Sequence, residues 1–233
     1  MKFVFSVVCM FASCLCLGAS SHEADGGLVK VSGKGHLAIV DCASGLDWQA
    51  MKPAMQKFTE TFHIAYKKYS VLEEFSVFDA HKFHASVGAN SVLFVIDDLR
   101  YPMSVVAPEQ KWACVNIAPL KAKNKNFESR CRFLFMRGIY RALGSDVSRA
   151  EKTCLSPVYS PEDLDKISDL GVAMDTFIAV SESCLASGLE PEQFLTYREA
   201  CELPEPPLPT NDVQKAIYQE IVGSRKQTKS NQK

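Results

Sequence analysis

Ser91-Val92-Leu93-Phe94-Val95-Ile96 and, thirty residues on, Asn126-Phe127-Glu128-Ser129-Arg130-Cys131-Arg132-Phe133-Leu134-Phe135-Met136-Arg137-Gly138-Ile139-Tyr140-Arg141-Ala142-Leu143-Gly144 decide the fold between them. The first is the most strongly apolar run of the chain, short and rich in β-branched residues, which is the mark of a buried strand. The second is too long for a strand and ends on a glycine, so it predicts a helix from Asn126 to Leu143 closed by Gly144. A buried strand followed by a long helix is the unit from which layered α/β folds are built.

Working outward, His36 to Cys42 is a second apolar run bounded by turn residues and predicts another buried strand. Asp47 can cap a helix running to about Tyr66, because Trp48, Met51, Met55, Phe58, Phe62 and Ala65 recur at three and four on one face. Further strands are predicted at Val71 to Val77, Met103 to Val106 and Lys111 to Ile117, with a short helix from Asp79. Pro102 and Pro108 flank the Met103 strand and favour an edge position, since proline cannot donate to a ladder. Later helices are expected at Pro161 to Ile167, Val172 to Ala186, Pro191 to Glu202 and Asn211 to Val222, with a proline-rich extended connector from Leu203 to Pro209. The fold class is therefore α/β (α+β): one mixed, mostly parallel five-stranded sheet with flanking helices and a mainly helical C-terminal part. The expected division is 1–20 as a leader, 21–35 as a flexible segment, 36–150 as the sheet-and-helix domain, 151–223 as a helical extension packed on it, and 224–233 as a disordered basic tail.

The chain has 233 residues, 26 Lys+Arg against 27 Asp+Glu, and 47% hydrophobic residues. Near-zero net charge argues against a nucleic-acid binder, and the apolar fraction is too high for a disordered chain. Residues 1 to 20 carry one cation, an apolar run from Phe3 to Leu17 and the small residues Gly18, Ala19 and Ser20, which predicts a secretory signal peptide and a secreted or periplasmic protein with no membrane span. Phe11-Ala12-Ser13 before Cys14 is also a loose match to a lipoprotein processing site, which would put a lipid anchor on Cys14. Outside that segment stand Cys42, Cys114, Cys131, Cys154, Cys184 and Cys201. An even count in an oxidising compartment permits up to three disulfides among 15 pairings, and the expectation is that some are bridged while others are small buried hydrophobes. No pair has Cys-x-x-Cys spacing, so neither a zinc ribbon nor a thioredoxin-type redox pair is indicated.

On the long helix Arg130, Arg137 and Arg141 share one face. The ordinary reading is a solvated or salt-bridged face; the functional one places Arg137 and Arg141 in a cleft as carboxylate or phosphate binders. The element order resembles the upper domain of the metzincin zinc peptidases. Arg137-Gly138-x-x-Arg141-x-x-Gly144-x-x-Val147 is similar to their helix motif His-Glu-x-x-His-x-x-Gly-x-x-His, with only the glycine kept. Cys154-Leu155-Ser156-Pro157 likewise resembles the Cys-x-Met turn of the archaemetzincin branch, with Ser156 in the methionine position. The resemblance spans about residues 36 to 160; the part beyond looks like a family-specific extension of bacterial secreted proteins. It implies that Arg137, Arg141 and Val147 stand where the histidines bind zinc and Gly138 where the glutamate acts as base. Arginine donates hydrogen bonds only and offers no lone pair to a metal. The expectation is thus a pseudoenzyme with no cofactor, in which Arg137 and Arg141 could receive a partner's carboxylate or the chain's own Asp97 or Asp98. In the parent family an edge strand pairs with extended substrate, so Met103 and Val105 would lie on a surface for a peptide or protein partner.

The alternative is an exported metal-dependent hydrolase using His81 and His84, three apart on the helix after Asp79, with an acidic ligand. His-x-x-His alone is a weak signal, and unliganded histidines are the ordinary reading. No Gly-x-Ser-x-Gly elbow and no glycine-rich phosphate loop occurs in the chain.

Overall fold

The computed structural model describes residues 25–43, 46–71, 76, 80–121, 126–146 and 152–225. The expected leader at 1–20 lies outside them, as does the tail beyond Arg225. The chain divides into two compact units: 33–192, and one assembled from both chain ends, 25–32 with 193–225 among the described residues.

In the larger unit the elements are β2 (Leu37–Asp41), α1 (Trp48–Phe62), β3 (Tyr66–Ser70), α2 (Ala80–Val87), β4 (Ser91–Ile96), β5 (Ser104–Ala107), β6 (Trp112–Asn116), α3 (Phe127–Ala142) and α4 (Met174–Ala186), while β1 (Leu28–Val31) precedes them. The sheet runs β3-β2-β4-β6-β5. The first four strands are parallel, and β5 is antiparallel to β6 at the outer edge. The mixed five-stranded sheet with flanking helices is as the sequence predicts.

Alternation sets the two layers. Leu37, Ile39, Leu93, Val95, Ala113 and Val115 face α1 and α3. Ala38, Val40, Val92, Phe94, Trp112 and Cys114 face the opposite side, where Ala80 and Val87 of α2 pack. Central strands buried on both faces read as continuous apolar runs, which is why β2, β4 and β6 were legible. Asp47 caps α1 by accepting from Gln49 N at 2.8 Å.

The expected strand at Val71 to Val77 is displaced. The strand is Tyr66–Ser70, Val71 lies beyond its end, and 72–75 and 77 are outside the described residues. α1 stops at Phe62 rather than Tyr66 because His63 takes a left-handed conformation, φ 52°, and its N–H closes on Thr59 O. Tyr66-Lys67-Lys68-Tyr69-Ser70 reads as polar because it is an edge strand, where lysines discourage further pairing.

The smaller unit holds β1, β7 (Gln193–Thr196), α5 (Tyr197–Ala200) and α6 (Asp212–Tyr218), which runs on into a π turn over Gln219–Gly223. β1 and β7 pair antiparallel, Leu28 opposite Thr196 and Val31 opposite Gln193. The sequence predicted neither strand: 21–35 reads as a flexible segment and 191–202 as a helix. The helix begins only at Tyr197, behind a Thr196/Glu199 capping box. Arg225, assigned to the tail, donates from Nη1 to Cys201 O at 3.2 Å. Among the described residues no helix is long and apolar enough to cross a membrane.

Cys42, Cys114, Cys131, Cys154, Cys184 and Cys201 are free thiols, so the expected bridges do not appear. Five of the six are buried, Cys131, Cys154 and Cys184 in one apolar layer, Cys114 in the other and Cys201 in the smaller unit, and behave as small hydrophobes. Burial foremost pushes Cys114, Cys131, Cys154 and Cys184 up to about 12 from an ordinary value of 9.0. A raised folded-state value means the fold holds the protonated thiol. That contribution is complete below pH 9 and is lost as pH rises toward about 12. Stability measured by urea denaturation should therefore fall across that window. Cys154→Ala should flatten the slope by up to about 1.4 kcal/mol per pH unit, and an unchanged slope would contradict a buried thiol there.

Candidate functional site

α3 is the structural centre of the candidate site: it packs on β4, β5 and β6, and carries Arg130, Arg137 and Arg141. Its end is a left-handed glycine closure. Gly144 has φ +90°, Gly144 N donates to Arg141 O, and Ser145 N reaches back to Tyr140 O. A Cβ at Gly144 would stand 2.4 Å from Ser183 Oγ, a side-chain end that can turn away, so the backbone angle is what demands glycine.

The arginine face is covered by the chain that follows, not solvated. Arg130, 4% exposed, makes a two-pronged contact with Asp165, Nε to Oδ1 at 2.8 Å and Nη2 to Oδ2 at 2.6 Å, with Glu162 Oε1 3.5 Å away. Asp165 lies on the 3-10 turn Pro161–Lys166, and the hydrogen bonds from Arg130 hold its carboxyl below the usual aspartate range. Arg137, also buried, donates from Nη1 to Cys154 O at 3.1 Å and Ser156 O at 2.6 Å. It thereby ties down the turn whose sequence resembles the archaemetzincin one. Cys154 Sγ anchors the same turn on Leu170 O at 3.4 Å. Arg141 donates from Nη1 to Ser145 O at 2.6 Å and lies 3.3 Å from Asp146 Oδ1. Burial first, and the Arg141 guanidinium second, pull Arg137 below the ordinary arginine range. It remains a cation with hydrogen-bond donors only.

Gly138 is the position that the resemblance makes the catalytic base. A Cβ there would lie 2.5 Å from Val115 Cγ1 and 2.7 Å from Leu93 Cδ1. That side of α3 is pressed onto the sheet, with no room for a carboxylate side chain. The donor set offered by Arg137, Gly138 and Arg141 does not fit zinc, which takes lone pairs from imidazole, thiolate or carboxylate. Val147, the third position of the motif, lies outside the described residues. Among the described residues no group of three or more His, Cys, Asp or Glu could hold a metal ion.

The structure does not bring Asp97 or Asp98 to the arginines. Asp97 pairs with Lys121, and Asp98 receives Arg100 at 2.6 Å. Of the two histidines on α2, the side chain of His81 lies outside the described residues, and the ring of His84 is partly buried with no hydrogen-bond partner at Nε2.

β5 is an edge strand as predicted, shifted by one residue to Ser104–Ala107. Met103 O accepts from Asn116 N at 2.9 Å, so Met103, Val105 and Ala107 direct their backbone toward β6. The alternation of an antiparallel ladder then turns the N–H and C=O of Ser104 and Val106 outward. Met103 and Val105 keep their side chains against the two apolar layers. The outward positions Ser104 and Val106 fall within the stretch Met103 to Val106 expected to offer the pairing surface. A residue that sequence reasoning missed orders this edge. Asn116, fully buried, donates from Nδ2 to Asp98 O at 2.6 Å and Tyr101 O at 2.8 Å, while its Oδ1 accepts from Asp98 N and Ala118 N, each at 3.1 Å. An amide ending an apolar strand was the available signal, since a buried polar group needs partners.

No protein-family profile matches the chain, and no curated protein matches its sequence. Solved structures do. An archaemetzincin from Methanopyrus kandleri superposes with a TM-score of 0.51 at 11% identity, covering 65% of this chain and 96% of that one. The fold is archaemetzincin-like. A zinc-dependent peptidase from Methanocorpusculum labreanum gives a TM-score of 0.47 at 9% identity, over 62% of this chain and 99% of that one. The archaemetzincin-like fold agrees with the resemblance read from the α3 sequence and its turn. At this identity the likeness establishes architecture alone.

Proposed function

We propose that the chain is an exported, non-catalytic protein on an archaemetzincin-like scaffold, which binds an extended peptide or a strand of a protein partner along the open edge of β5. The observation that carries this reading is Gly138 packed onto Val115 and Leu93, which leaves no room for a glutamate at the position where the motif would have its base. The outward backbone of Ser104 and Val106 supports strand addition, in which main-chain hydrogen bonds supply affinity. Fluorescein-labelled casein incubated with the full chain and equimolar zinc should remain intact. Linear peptides selected from a random display library should lose binding in Val106→Pro, which removes one outward N–H and leaves the β6 ladder whole. Binding unchanged in Val106→Pro would reject the edge.

A second reading, a metal-dependent hydrolase, draws on the fold likeness to zinc peptidases and on the unpartnered His84 Nε2. Zinc-dependent casein cleavage that disappears in His84→Ala would establish it against the first.

A further inference from the structure

The proline-rich stretch between α5 and α6 has its backbone decided by stereochemistry. Pro206, Pro207 and Pro209 each hold φ at about −65°, and each proline pushes the residue before it to an extended ψ. Neither helix nor strand forms from 206 to 210. These restrictions leave a polyproline II helix with three residues per turn. Exposure follows that period: Pro206 and Pro209, three apart, are half-buried, while Leu208 between them is 78% exposed.

The stretch is held in place by its own unit. Buried Tyr197 donates its hydroxyl to Pro207 O at 2.8 Å, and Thr210 N donates to Gln214 Oε1 at 2.8 Å. At its start the Arg225 guanidinium donates to Cys201 O and Glu202 O, each at 3.2 Å. A segment ordered in advance loses little entropy on binding. It is also rich in acceptors and poor in donors. Its prolines have no N–H, and among the described residues the carbonyls of Pro206, Leu208 and Pro209 accept no hydrogen bond. Glu205, next to them, is exposed and in no ion pair among the described residues.

We propose that Pro206-Pro207-Leu208-Pro209 is a docking segment for a partner protein whose groove is lined by aromatic rings and rimmed by lysine or arginine. Tryptophan and tyrosine rings pack on proline rings and on Leu208, while their N–H and O–H groups donate to the free carbonyls; proline-rich ligands are recognised in this way. Glu205 selects the basic rim. Both tryptophans of the chain are engaged, Trp112 in the core and Trp48 between Lys68 and Phe135, so a different protein and not a second copy supplies the groove. This docking is independent of peptide pairing at β5.

The test is biolayer interferometry of the full chain against purified WW-type and EVH1-type domains, sorted by the charge at the groove rim. Domains with a basic rim should bind saturably. Leu208→Asp, a change at an exposed side chain, should weaken that binding at least tenfold with the circular dichroism spectrum unchanged, and Glu205→Lys about threefold. A synthetic peptide of residues 203–211 in excess should compete. No binding to any basic-rimmed domain, tighter binding to acidic-rimmed ones, or an affinity unchanged in Leu208→Asp would overturn the proposal. Self-association of the full chain that Leu208→Asp abolishes would also overturn it, by assigning the segment to a second copy.

Discussion

Replacing Asp165 with alanine is expected to destabilise the larger unit by about 3 kcal/mol, because it strands the Arg130 guanidinium in a site where its side chain is only 5% exposed. Glu162, at 3.5 Å and largely in solvent, can recover part of the loss but cannot restore the paired geometry. The double variant Arg130→Met/Asp165→Leu should be more stable than Asp165→Ala, since an apolar pair removes the buried charge along with its partner. Urea denaturation of the three proteins measures this directly. Asp165→Ala within 1 kcal/mol of the parent would mean that the arginine is hydrated. The same contact has a pH signature. Asp165 is held below the usual aspartate value, so its contribution is complete above about pH 4 and is lost as the pH falls through the depressed value. The gap between parent and Asp165→Ala should therefore close in strong acid.

Gly138→Glu, which supplies the acid that the metzincin motif would have at this position, should abolish the soluble fold. Even the methyl of Gly138→Ala would meet Val115 Cγ1 and Leu93 Cδ1 inside ordinary contact distance. Overpacking of this kind costs about 1–3 kcal/mol, against which alanine regains about 1 kcal/mol of helix propensity. A net loss of about 0–2 kcal/mol is expected for alanine. Glutamate adds a buried, unpaired charge, a cost of several kcal/mol against a total stability of about 5–15 kcal/mol. Circular dichroism and urea midpoints distinguish the outcomes. A folded Gly138→Glu that binds zinc together with Arg137→His and Arg141→His would show that this face of α3 opens on a cleft, against the packing seen at Gly138.

Both results concern one helix whose sequence carries two messages. The apolar half of α3 was readable because burial on a sheet imposes a composition that any window shows. The arginine half was ambiguous: identical residues at identical spacing suit a solvated face, an anion site or a set of braces. Partners at 145, 154, 156 and 165 decide among these, and no local pattern names them. Asn116 illustrates the same limit, since its role as the pin of the 97–101 turn depends on carbonyls 15 to 18 residues away.

The sequence by itself determined the central strands β2, β4 and β6, the edge placement of β5, the extent of α3 and the glycine closure after it, because each follows from local periodicity, proline chemistry or a backbone angle. It also determined the archaemetzincin-like character of the architecture. Only the tertiary structure decided that β3 is a lysine-bearing edge, that the two chain ends pair as β1 and β7, that six thiols stay unbridged, and that Gly138 faces the core. These depend on which distant segments come together. Such contacts are selected by the packing of whole layers, and a window of neighbouring residues holds no record of them.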